Sequence, residues 1–113
     1  MPAGTFNLTG NYRMEQGSTY TLEVTVTDDS GVYDMSTATA AAKLRETADA
    51  TTAYEFDCTI NSTTGVITVT MSATDTADIA ITSGVWDLEL TEGTTVTRLL
   101  EGTVTISPEV TKT

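Results

Sequence analysis

From Val85 onward, apolar and polar positions alternate in two runs separated by a glycine. Trp86, Leu88 and Leu90 share one parity; beyond Gly93, Val96, Leu100, Val104 and Ile106 share another. A period of two sends alternate side chains to opposite faces of a sheet, so residues 85–91 and 94–106 predict a β-hairpin with a core face and a wet face. Trp86 is the expected core anchor of that face. The connection Thr91-Glu92-Gly93-Thr94 predicts a two-residue turn with Glu92 and Gly93 at its tip, the glycine supplying positive φ. Pro108, which has no N–H to donate, closes the second strand.

The same alternation recurs upstream. In residues 18–27, Tyr20, Leu22, Val24 and Val26 face in, and the run Asp28-Asp29-Ser30-Gly31 supplies turn chemistry. A short strand is expected over 32–35, then one over 39–45 with Ala40, Ala42 and Leu44 inward. Residues 46–52 read as a loop. Strands over 54–60 and 66–71 flank a turn at Thr63-Thr64-Gly65. One short helix is expected over 73–79, with Ser72 as N-cap and Asp75 in a capping-box position. It carries the chain across the end of a sandwich. About a quarter of the residues are threonine, a β-branched residue suited to a pleated, half-exposed surface. Seven or so strands punctuated by turns predict an all-β fold, an antiparallel immunoglobulin-like β-sandwich with one short helix. A length of 113 residues fits one domain, with an N-terminal arm (1–7) and a C-terminal tail (108–113) that have little core to join.

Charge narrows the partners. Sixteen acidic against five basic residues give a net charge of −11. That field repels phosphate backbones and anionic lipid, so neither nucleic acid nor a membrane surface is an expected partner. No apolar run approaches the roughly 20 residues that span a bilayer. The first residues lack the basic and apolar regions of a secretory signal, so synthesis in a cytoplasm is expected. Cys58, the single cysteine, alternates with Tyr54, Phe56 and Ile60 and reads as a small buried hydrophobe.

Catalytic chemistry is scarce. The chain has no histidine, which removes the commonest general base and zinc ligand. Asp28 and Asp29 read as turn residues, no EF-hand pattern is present, and the glycines stand singly instead of forming a phosphate loop. No enzyme activity, cofactor or metal is expected. Arg98 interrupts the apolar parity of the last strand, and Leu99 falls on its polar parity, where Val85 across the hairpin could join it in a subunit contact.

Four stretches taken together resemble a family: Glu15-Gln16-Gly17-Ser18-Thr19-Tyr20, Val32-Tyr33-Asp34-Met35-Ser36, the run G-V-W-D-L-E-L-T from Gly84, and V-T-R-L-L-E-G-T-V-T-I-S-P-E-V-T from Val96. They are similar to small virion proteins of tailed bacteriophages, and in layout to the N-terminal domain of the phage baseplate upper protein. Trp86 stands where the family pattern has tyrosine. The resemblance implies a non-enzymatic structural component of a phage virion, made in the host cytoplasm. Its expected role is as a tail, baseplate or fibre adaptor whose partners are other virion proteins and copies of itself. A capsid cement or decoration protein is the alternative, and a carbohydrate-binding or adhesin module, using Tyr12 or Tyr33, is the second. The family pattern names no binding residues. The candidate protein contacts are Met1, Pro2, Phe6, Val85, Arg98, Leu99, Pro108 and Val110.

Overall fold

The computed structural model describes residues 4–28 and 31–110. Strand β1 (Gly4–Thr5) and a 3-10 turn (Gly10–Tyr12) lead to β2 (Met14–Glu15), β3 (Tyr20–Thr25) and a small hairpin of β4 (Thr27–Asp28) and β5 (Gly31–Val32). Then come β6 (Ala38–Arg45), β7 (Tyr54–Asn61), β8 (Val66–Met71), helix α1 (Ala73–Ala77), β9 (Ser83–Glu92) and β10 (Thr95–Ser107). Hydrogen bonds link β1-β10-β9-β6-β7-β8-β3 in one path, with β2 also on β10. The path folds over at β7. Residues 54–56 pair with β6 and residues 57–61 with β8, so one strand serves both layers and makes the corner. The first layer is β6, β9 and β10 with β1 and β2; the second is β8 and β3. Strands three, six and seven of an immunoglobulin domain lie together in this way, as do its second and fifth. The protein is therefore an all-β, immunoglobulin-like sandwich with one short helix.

Alternation dictates the core. Leu44, Trp86, Leu88, Leu90, Val104 and Ile106 face Leu22, Phe56, Ile67, Val69 and Met71, all buried. Phe56 and Trp86 meet edge to face, ring centroids 6.3 Å apart, the geometry that aromatic quadrupoles favour. Ser72 caps α1 as expected, its Oγ accepting from Asp75 N at 3.2 Å, but the helix ends at Ala77. Thr76 is buried; its hydroxyl donates to Ser18 O at 2.8 Å and accepts from Gly17 N at 3.1 Å. A helix this short cannot hold itself in water, and that bridge to the β2–β3 turn fixes it.

The structure corrects the expected hairpin in two ways. Glu92 pairs with Thr95, so the tip is Gly93-Thr94, one residue later than expected. Gly93 has φ +61° and, among the described residues, no non-glycine residue has positive φ, the pattern of a type II′ turn. Second, the pairing jumps from Arg98↔Glu89 to Leu100↔Leu88, leaving Leu99 as an extra residue. This β-bulge inverts the parity of everything toward the tip. Val96 consequently faces out with 58% of its surface exposed, instead of joining Val104 in the core. Arg98 no longer interrupts an apolar face, because in this register it never belonged to one.

The N-terminal arm is corrected as well. Residues 4–8 run parallel to β10: Phe6 N donates to Glu101 O (2.9 Å), Leu8 N to Thr103 O (2.8 Å) and Thr105 N to Leu8 O (2.9 Å). Leu8 is fully buried. The Phe6 carbonyl leaves the ladder and turns inward to accept from the Trp86 indole Nε1 at 2.7 Å. The Asn7 side-chain oxygen takes its place, accepting from Thr103 N at 3.0 Å. Gly102 makes this crossing possible, since a Cβ there would run into the Phe6 carbonyl and lie 2.8 Å from Asn7 Oδ1. The beginning of the tail is tied too: Glu109 N donates to Gln16 Oε1 at 3.0 Å.

Candidate protein-contact face

Three strands in register build the outer face of the first layer. Across β6, β9 and β10 the outward residues form rungs: Ala41–Glu89–Arg98, Lys43–Asp87–Glu101 and Arg45–Val85–Thr103. β1 adds Thr5 beside Glu101, and Asn7 follows it. Sheet curvature and the loop carrying Ala48 turn this face into an open trough of about 750 Å³. Small side chains, Ala41, Ala48 and Val85, make its apolar part.

Charge is arranged by strand. β6 supplies Lys43 and Arg45, while β9 and β10 supply Asp87, Glu89, Glu101 and Arg98. Three of the chain's five basic residues therefore stand here against three acids, and the whole excess of −11 lies elsewhere. Arg98 reaches Asp87 (Nε–Oδ2, 3.4 Å) and Glu101 (Nη1–Oε1, 3.1 Å). Lys43 pairs with Glu55 at 3.6 Å. Arg45 Nη1 donates to Ala50 O at 2.7 Å and so fixes the 46–52 loop as a wall. Each ion pair is half exposed and contributes only about 0–1 kcal/mol to stability. These groups hold one another in place at little cost and remain open to exchange partners.

The expected contact residues separate into two groups. Val85 and Arg98 lie on this face together, but Val85 pairs with Thr103 and Arg45, not with Leu99. Leu99, in the bulge, packs against the core, as does half-buried Phe6, which also meets Tyr12 edge-on at 5.0 Å. Pro108 is exposed and Val110 is 96% exposed, both at the tail. Met1 and Pro2 lie outside the described residues. Of the two tyrosines weighed for a sugar platform, Tyr12 is exposed, and Tyr33 donates to Glu92 Oε1 at 2.6 Å. Lys43, Arg45, Asp87, Glu89 and Glu101 were not anticipated. Alternation marks each as outward, but nothing in the sequence says that β6 lies beside β9.

Elsewhere, burial and the neighbouring Asp57 push the Cys58 thiol up, which disfavours the thiolate. Burial and nearby Tyr12 push the Tyr20 hydroxyl up to about 12; it donates to Tyr12 O at 2.8 Å. Among the described residues no group of three or more His, Cys, Asp and Glu is placed to hold a metal ion, and no helix is long and apolar enough to cross a membrane.

No protein-family model and no curated protein matches the chain. Among solved structures it is similar to the N-terminal domain of phage TP901-1 ORF48, at 11% identity over 93% of this chain and 94% of that one, with a TM-score of 0.49. It is also similar to an extracellular fragment, with its stalk, of novel immune-type receptor 11 from Ictalurus punctatus. That likeness is 11% identical over 100% of this chain and 90% of the other, with a TM-score of 0.40. The fold assignment rests on the strand pairings of this chain.

Proposed function

We propose that this protein is a non-enzymatic structural component of a tailed-phage virion, an adaptor of tail, baseplate or fibre that works through protein–protein contacts. One observation carries the reading. The charged letters of the two most family-like stretches, Asp87 and Glu89 in the first and Arg98 and Glu101 in the second, converge on one exposed face. The apolar letters between them build the core, so the motif encodes a scaffold and a presented surface together. A shallow trough with both signs of charge and small apolar patches suits another protein's side chains and backbone. Repetition of such a contact around a symmetric particle multiplies a modest affinity.

The test is charge reversal on the face, with Lys43→Glu and Glu89→Lys made singly. Both variants should keep the native thermal midpoint within a few degrees and lose incorporation into particles. Thr59→Lys, on the outer side of the second layer, should incorporate normally. Immunogold labelling of intact particles then places the protein on the tail or on the capsid, the latter being the cement alternative. Normal incorporation of both trough variants would remove the support for this reading.

A further inference from the structure

The two ends of the hydrogen-bonded path are treated differently. At one end β10 is covered along its length by β1, the Leu8 bridge and β2. At the other, β3 has β8 as its only strand partner among the described residues. In the immunoglobulin arrangement the first strand can cover that second-strand edge. Here residues 4–8 lie along β10, and no strand among the described residues covers the edge of β3.

This edge has few of the usual protections, its one charge being Glu23 on the outer face. Tyr20–Thr25 contains no proline and no lysine, and its pairing with β8 runs without a register shift. Val26 N donates to Gly65 O at 2.7 Å, toward β8. By alternation, the N–H and C=O groups of Thr21, Glu23 and Thr25 point away from the sheet. On the core side, Tyr20 and Val24 are only half covered, because no further strand lies beyond them.

We propose that this edge pairs antiparallel with the same edge of a second copy, centred on Leu22, to make one sheet through both molecules. The side chains select that register. Opposite residues must share a face, so a two-fold axis falls on Leu22 or on Glu23. Centring on Glu23 sets two carboxylates against each other, which is unfavourable. Centring on Leu22 places Leu22 against Leu22, Tyr20 against Val24 and Thr21 against Glu23. The outward backbone groups of Thr21 and Glu23 then meet in hydrogen-bonded pairs. This contact is independent of the trough and of the particle reading.

Its signature is an unusual salt dependence. Each copy carries −11, so the molecules repel one another, whereas the contact itself is made of backbone bonds and apolar side chains. Screening should tighten the dimer, while an ion-paired interface would loosen. Sedimentation equilibrium of the full chain at low and high salt, about 0.05 M and 0.5 M NaCl, should show weak self-association that strengthens with salt. Amide exchange should slow at Thr21, Glu23 and Thr25 as protein concentration rises.

Thr21→Lys, which faces Glu23 of the other copy twice, should tighten the dimer about fivefold beyond Thr59→Lys, which adds the same charge away from the edge. Thr21→Glu should weaken it by a similar factor. A single monomeric species at every concentration and salt, or Thr21→Lys behaving like Thr59→Lys, would overturn the proposal.

Discussion

Replacing Gly102 with alanine should unseat the N-terminal arm. The new methyl group cannot coexist with the Phe6 carbonyl, which sits where the Cβ would be. Backbone on both sides is held in the sheet, so the shorter arm is the part that moves. At minimum the Phe6 O···Trp86 Nε1 bond of 2.7 Å is lost. Trp86 is 3% exposed, so its indole N–H is left without a partner and without water, at a cost of about 1–3 kcal/mol. If the arm detaches as far as Leu8, uncovering that side chain adds about 2 kcal/mol. The expected loss is therefore about 1–5 kcal/mol, to be set against the roughly 5–15 kcal/mol typical of a domain. Urea denaturation followed by Trp86 fluorescence measures it. A double-mutant cycle isolates the cause: Trp86→Phe removes the N–H, so Gly102→Ala in that background should cost about 1–3 kcal/mol less. Deleting residues 1–7 should destabilise by a similar amount, contrary to what an unattached arm would do. A Gly102→Ala variant within about 0.5 kcal/mol of the parent, or an equal cost in both backgrounds, would refute this account of the crossing.

Three further outcomes are expected. Gly93→Val forces a β-branched residue to positive φ and should lower the denaturation midpoint by about 1–3 kcal/mol equivalent, whereas the same change at Thr94 should cost less. Alkaline titration should destabilise the fold through Tyr20. Below pH 10 the hydroxyl keeps its proton whether folded or not; as pH rises toward about 12 the unfolded chain releases it first, so stability falls across that window, and Tyr20→Phe should flatten the fall. Cys58 should react with a disulfide reagent at pH 8 far more slowly in the native protein than in urea, and equal rates would contradict its half-buried, acid-flanked setting.

Local physics explains how much could be read without coordinates. A two-residue period in a threonine-rich chain leaves few choices but strands, and it sorted Trp86, Leu88, Leu90, Leu44 and Val69 into the core correctly. Ser72 and Asp75 announced α1 because capping is satisfied within one turn. Gly93 announced a hairpin turn because positive φ is a property of single residues, though its placement shifted by one position. None of these required knowing what lies nearby in space.

What needed the tertiary structure were the properties that depend on pairing between distant segments. The bulge at Leu99 is invisible in the alternation because it is a mismatch between two strands, and it alone decides that Val96 and Arg98 face out. The arm looked unattached because what ties it, the ladder to β10 and the Trp86 indole N–H that donates to the Phe6 carbonyl, lies 80 to 96 residues away along the chain. The contact face emerged only when β6 was laid beside β9, which joined the basic side of one strand to the acidic side of another. Residue chemistry determined the alternation along each strand; the pairing of strands, bulge included, decided which face each residue of β10 took and what stands beside it.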